Sequence, residues 1–148
     1  LLSSLGMDPD RIEIEIIETT LLHASPNTVQ ELHALDELGV NIVLDDFGTG
    51  FSSMTYIQQF PFDKIKIDRT FVRRVETDRQ ASIIASTIAA LANNLGKHST
   101  AEGIENGNQA ALLRAAGFQF GQGFFFGKPL PARDIEELQR NGKKKSNR

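Results

Sequence analysis

Short runs able to form strands begin near residues 11, 41, 64, 98 and 118, and helix-like patterns fill the intervals between them. Strands joined through helices run parallel, because each crossover returns the chain to the same end of the sheet. In such sheets chemistry gathers where the strands end, at their C-terminal tips. One stretch shows this most clearly. Ile42-Val43-Leu44 is short, apolar and β-branched, as a buried strand requires. It delivers two adjacent carboxylates, Asp45 and Asp46, and then a turn with glycines at 48 and 50.

The other elements follow the same grammar. Arg11–Ile17 alternates with period two, with Ile12, Ile14 and Ile16 on one face and Glu13 and Glu15 on the other. Ser25-Pro26 starts a helix whose stripe is Val29, Leu32, Leu35 and Leu38, and Gly39 ends it. A short segment through Tyr56 stops at Pro61. Lys64–Asp68 alternates again, with Ile65 and Ile67 opposed to Lys64, Lys66 and Asp68. Asp78 caps a helix running through Ile83, Ile84, Ile88 and Leu91 to Gly96. His98–Glu102 is a poor strand by composition but stands where one is due. A helix from Asn106 to Ala116, a strand over Phe118–Gln122 and a helix from Pro131 to Arg140 with Ile135 and Leu138 complete the series. Residues 1–6 read as the tail of a helix. At roughly 30 residues per unit the expected class is α/β, a (β/α)8 TIM-type barrel of about 250 residues. Five β-α units leave that barrel incomplete. The domain spans 1–140, and 141–148 is expected as a basic, disordered tail.

Charge narrows the partners. The net charge is −3 although Lys143, Lys144, Lys145 and Arg148 are all basic, so the body is more acidic still. An acidic body argues against a nucleic-acid polymer held by phosphate contacts alone. It suits a small phosphate substrate if bound cations invert the local field. No apolar run approaches the ~18 residues of a membrane span. Cysteine is absent, which excludes thiolate metal sites and fits a cytoplasmic location.

At the strand ends stand Glu15 and Glu18, Asp45 and Asp46, Lys66 with Asp68, Glu102 and Glu105, and Gln122. Singly, each has a plainer explanation: a solvated strand residue, a lysine beside a carboxylate, a turn. Together they form a thiolate-free carboxylate cluster suited to hard cations such as Mg²⁺ or Mn²⁺. Two such ions can activate water and stabilise charge on a phosphodiester. Lys66 would then act on phosphate or on the attacking water, and Gln122 as a neutral hydrogen-bonding partner. Other motifs fail on context. Asp46-Phe47-Gly48 lacks the glycine-rich loop of a kinase, and Gly48–Ser53 lacks the third glycine of a dinucleotide fingerprint. His23, His33 and His98 do not show ligand spacing; the first two read as helix-layer residues, and His98 as lining the interior below Glu102.

Four strings resemble the EAL-type cyclic di-GMP phosphodiesterases: Asp45-Asp46-Phe-Gly-Thr-Gly-Phe-Ser-Ser53, Lys64-Ile-Lys-Ile-Asp-Arg-Thr-Phe-Val72, Ala101-Glu-Gly-Ile-Glu105 and Gln122-Gly-Phe-Phe-Phe-Gly-Lys-Pro-Leu-Pro131. The resemblance implies a barrel that hydrolyses cyclic di-GMP to the linear dinucleotide pGpG with two Mg²⁺ or Mn²⁺ ions. It implies metal ligation by Glu15, Asp45, Asp46 and Glu102, with Glu102, Lys66 and Gln122 catalytic. Glu18 and Glu105 would anchor the loop after Asp46, which often shapes a homodimer contact. The Glu-Ala-Leu triplet, an asparagine ligand and a substrate-contacting arginine are not in the chain, and Ile17 stands where the family often has threonine. The match is to roughly the C-terminal three-fifths of a barrel of about 250 residues.

The expected partners are cyclic di-GMP, a second copy of the chain, and an upstream sensory or cyclase domain in the parent protein, whose N-terminal segments could anchor it to a membrane. The isolated chain is expected to be feeble or inactive unless another chain supplies the missing part. Its open edge at Arg11–Ile17 favours self-association. A non-catalytic module binding cyclic di-GMP or a protein is the competing class. A Mg²⁺-dependent barrel enzyme using Lys66 as a base in carbonyl chemistry explains the carboxylates but not the four strings.

Overall fold

The computed structural model of the chain describes residues 4, 6–21, 24–49, 57 and 59–145, the side chains of 139 and 141–145 excepted. The segment through Tyr56, His23 and the tail beyond 145 lie outside the described residues. Five strands form one sheet in chain order: β1 (Glu13–Ile17), β2 (Asn41–Phe47), β3 (Lys64–Ile67), β4 (His98–Glu102) and β5 (Phe120–Gln122). Every neighbouring pair is parallel. Among the described residues β1 pairs with β2 alone and β5 with β4 alone, so the sheet is not closed.

Helices α1 (Glu18–Leu21), α2 (Pro26–Glu37), α3 (Arg69–Arg74), α4 (Arg79–Asn94), α5 (Gly107–Ala115) and α6 (Ala132–Lys145) fill the connections and the C-terminus. Their starts are set by side chains that accept otherwise orphaned N–H groups: Ser25 for α2, Asp68 for α3, Asp78 for α4 and Asn106 for α5. The helix layer packs on one face of the sheet, where Ile42, Leu44, Ile65, Ile67 and Ala101 meet Leu32, Val72, Ala85, Ile88, Ala89 and Leu113. The opposite face carries Glu13, Glu15, Val43, Asp45, Lys64, Lys66, Thr100 and Glu102, since side chains alternate along each strand.

Several helix residues depart from the sequence pattern. Leu38 is 63% exposed and Ile83 52% exposed. Leu38 is the C-cap of α2, one residue beyond the helix, where the buried stripe has rotated away. In α4 the buried face consists of Ala81, Ala85, Ile88, Ala89 and Ala92, small residues that let the helix lie close to the sheet and turn Ile83 outward. His33 is exposed on α2, and Ile135 and Leu138 are exposed on α6. The last helix continues past Arg140 to Lys145, overlapping the segment expected as tail; glutamate, glutamine, arginine and lysine are all good helix formers.

β4 holds despite its composition. Ser99 is fully buried, and its N–H and hydroxyl both reach Gln119 Oε1, at 2.7 and 3.2 Å. Gln119 is in turn held by Asn93 of α4, so side chains supply what Ser99 would otherwise lack. No helix among the described residues is long and apolar enough to cross a membrane.

Candidate active site

Adjacent residues of a regular strand point to opposite faces, so Asp45 and Asp46 converge only if the strand is irregular there. It is. Pairing of β2 with β3 shifts register between Leu44 and Phe47, and Asp46 takes φ 54°, in the left-handed region. Aspartate tolerates that region better than most residues. The Asp46 N–H donates to Asp45 Oδ1 at 2.9 Å, which steadies the kink. One carboxylate oxygen from each of Asp45, Asp46 and Glu102 consequently lies within 4.8 Å of the others.

Lys66 stands in the same group, its side chain 5% exposed. Its ammonium donates to Glu15 and Glu102, each at 2.6 Å, and lies 3.5 Å from Asp45 Oδ1. Strands β1, β2, β3 and β4 thus each contribute a charged group. A lysine so placed has no apolar way out; its stem is enclosed and its head is shared among three anions.

The charges shift one another. Burial opposes the Lys66 charge, but hydrogen bonds to Glu102 and Glu15 and the field of Asp45 hold its ammonium above the ordinary lysine value. Burial raises the Glu102 carboxyl; Lys66 pulls it down, and the Asp45 and Glu15 charges push it up again. Asp46 is raised by burial, then by the charges of Asp45 and Asp68. Asp68 is lowered although burial opposes this, because Thr70 donates to it from both hydroxyl and backbone. Carboxylates crowded beyond what one lysine neutralises are what a divalent cation stabilises, and these all-oxygen donors fit Mg²⁺ or Mn²⁺.

Around this centre the remaining strand-end residues divide. Glu18, 3% exposed at the start of α1, accepts from the Gly48 N–H at 2.8 Å and so ties β1's end to the turn after Asp46. Gly48 has φ 95°, a conformation that glycine adopts without strain. Glu105 pairs with Arg73 at 3.4 Å; the loop it was expected to hold, residues 50–56, lies outside the described residues. Gln122 is the register partner of Glu102, exposed at the end of β5, and its carbonyl accepts from Ile104 N–H. Just beyond the ends of β4 and β5 the backbones approach so closely that a Cβ on Gly123 would stand 2.2 Å from Ile104 O. His98 lies at the exposed lower end of β4, edge-on to Phe120 with ring centroids 5.4 Å apart.

Two relations escaped the sequence pattern. Asp68 caps α3 and also approaches Asp46, adding a further acidic neighbour. A second ion pair, Lys64 with Glu13, repeats Lys66–Glu15 one step lower on the same strands. The Lys-Ile-Lys-Ile-Asp alternation signals that Lys64, Lys66 and Asp68 share a face, but not what they reach.

An open parallel sheet with a carboxylate and lysine cluster at its strand ends defines a barrel-type α/β domain with a candidate site for a cation. The chain matches the EAL domain family over residues 1–129 and belongs to that family. The cyclic di-GMP phosphodiesterase NbdA of Pseudomonas aeruginosa is 37% identical over 139 residues, covering 94% of this chain and 18% of that protein. Among solved structures, the PaMucR phosphodiesterase in its c-di-GMP complex matches with TM-score 0.85 and 34% identity, covering 90% of this chain and 54% of that one. The manganese and cy-diGMP complex of Klebsiella pneumoniae BlrP1 matches with TM-score 0.77 and 31% identity, covering 83% and 31%. The five-stranded sheet is therefore an incomplete TIM-type barrel. The chain spans about a sixth to a third of the length of the curated relatives it matches.

Proposed function

We propose that this chain provides the catalytic strand ends of a phosphodiesterase that opens cyclic di-GMP to linear pGpG. The observation that carries the reading is the convergence of Asp45, Asp46 and Glu102 within 4.8 Å beside Lys66. Glu15, Asp45, Asp46 and Glu102 would hold two divalent ions, Mg²⁺ or Mn²⁺. When bound, such ions lower the pKa of water and offset charge on the phosphodiester.

The chain's own residues do the positioning. Lys66 neutralises Glu15 and Glu102 in the metal-free protein. With cations held by those carboxylates, its ammonium would be free to act on a phosphate oxygen or the attacking water. Glu102, at the end of β4 beside Asp45 and Asp46, would lie next to that water and take part in orienting or deprotonating it. Gln122 offers hydrogen bonds at the neighbouring strand end without adding charge. Glu18 keeps the turn after Asp46 closed through Gly48, and Glu105 steadies the far side of the same loop. We further propose a cytoplasmic setting, a homodimer contact near that loop, and an upstream sensory or cyclase domain in the parent protein.

The deciding assay is cyclic di-GMP turnover with Mn²⁺, followed by separation of the linear product, for this chain and Glu102→Ala. Turnover abolished by the substitution supports an active phosphodiesterase. Binding of cyclic di-GMP without turnover would make the chain a binding module. The absence of both binding and turnover would overturn the reading for this polypeptide.

A further inference from the structure

Helix α3 touches both sides of the carboxylate cluster. Toward β2, its N-cap Asp68 approaches Asp46, and the Phe71 ring lies so near Gly48 that a Cβ there would stand 3.3 Å from it. Toward β4 it makes three contacts. Arg69 packs on Gly103, where a Cβ would stand 2.7 Å from Arg69 Cβ. Arg73 pairs with Glu105 at 3.4 Å, and Glu76, in the turn after the helix, accepts from Asn106 Nδ2 at 3.0 Å. Residues spaced four and then three apart share one side of a helix. Arg69, Arg73 and Glu76 therefore meet, in order, the segment that leaves Glu102. All of these contacts lie around β2, β3 and β4, the three inner strands of the sheet.

We propose that Arg73 and Glu76 are positioning residues that, through α3, set Glu102 relative to Asp45 and Asp46. The proposal deepens the function given above and rests on it. A cation such as Mg²⁺ demands near-ideal spacing of its oxygen ligands. Yet Asp45 and Asp46 stand on β2 and Glu102 on β4, with β3 between them. Inside the cluster the link is Lys66, which reaches both Asp45 and Glu102. Cations held by those carboxylates would weaken that link, whereas α3 makes one outside the cluster. The segment after Glu102 is also fastened from its other side. Gln109 Oε1 of α5 accepts from the Glu105 N–H at 2.8 Å, and the Ile104 N–H donates to Gln122 O. Those bonds tie it to α5 and β5 and leave its distance from Asp46 unset. Arg73 and Glu76 set it. Charge alone predicts something different. Removing the Arg73 cation would tighten binding of another cation nearby, whereas losing its hold on the segment would loosen it.

The test compares the whole chain with Arg73→Met, Glu76→Met, Arg73→Lys and Glu76→Gln. Mn²⁺ affinity is read by calorimetry. Hydrogen exchange at the Asp46 and Gly48 N–H groups is read by NMR without metal, and melting is recorded beside both. Those two groups donate to Asp45 Oδ1 and Glu18 Oε2, so their exchange reports the far side of the cluster. Arg73→Met and Glu76→Met change charge in opposite senses, yet each should weaken Mn²⁺ binding about fivefold and speed exchange at both groups. Arg73→Lys and Glu76→Gln, which keep a partner for Glu105 and for Asn106, should restore most of the loss. Unchanged or tighter Mn²⁺ binding in Arg73→Met would overturn the proposal. So would faster exchange confined to residues 103–106, or losses that follow melting and are not rescued by lysine. Should Arg73→Met fail to fold, exchange in Glu76→Met decides alone. If the parent chain does not bind Mn²⁺, the metal reading fails, and exchange in the metal-free variants still decides this one.

Discussion

The helix-covered face of the sheet holds Ile42, Leu44, Ile65 and Ile67, none more than 2% exposed, while the sheet's other face carries Glu13, Glu15, Asp45, Lys64 and Lys66. The first face is held by apolar area removed from water, which needs no particular partner. The second is held by charges that must meet specific opposites, and its anions exceed what Lys66 neutralises. One face therefore supplies stability. The other accepts electrostatic strain, and that strain is what a cation can relieve.

Substitutions should separate the two faces by size of effect. Ile67→Ala, on the covered face, should cost about 2–5 kcal/mol in urea unfolding; a loss near zero would mean that the helix layer is not the main support. Lys66→Met, on the open face, should cost less, about 1–3 kcal/mol, by leaving Glu15 and Glu102 without their cation. Mn²⁺ should recover much of that loss, whereas it should do nothing for Ile67→Ala. Asp46→Ala should be less stable than Asp46→Asn by about 1 kcal/mol, because asparagine tolerates the left-handed backbone and alanine does not. Equal stabilities would show that the kink at Asp46 carries no strain.

A smaller, pH-dependent difference is expected at Glu102. Its folded pKa lies above the ordinary value of 4.5. The stability contributed by its protonated form is present below that value and is lost as pH rises through the folded pKa. Glu102→Gln, which cannot ionise, should therefore gain in melting temperature over the parent as pH rises from about 4 to about 7. A gap that is constant or shrinks with pH would contradict the raised pKa. Least of all, Leu38→Gln should change stability by no more than ~0.5 kcal/mol, since Leu38 is exposed beyond the end of α2.

Much of this fold was legible because local rules governed it. Ser25, Asp78 and Asn106 each cap the helix that their position announced, and Gly39, Gly96 and Gly117 follow helix ends with positive φ. Asp45, Asp46, Lys66 and Glu102 were readable as strand-end residues from the alternation alone, and they do meet. Leu38 stands outside the buried stripe because a stripe counted along a helix says nothing about where the sheet beneath it stops. Glu13–Lys64 stayed hidden for a related reason: it joins residues 51 positions apart across an intervening strand.

The amino-acid sequence alone determined which residues alternate, which cap, and which carry charge to the C-terminal ends of the strands, because those properties depend on neighbours a few positions away. Only the tertiary structure decided that Asp45 and Asp46 face one centre and that each lysine of β3 selects its glutamate on β1. The first depends on a register shift between β2 and β3, and the second on the alignment of three strands. Both arise from pairing between distant segments, which no local pattern encodes.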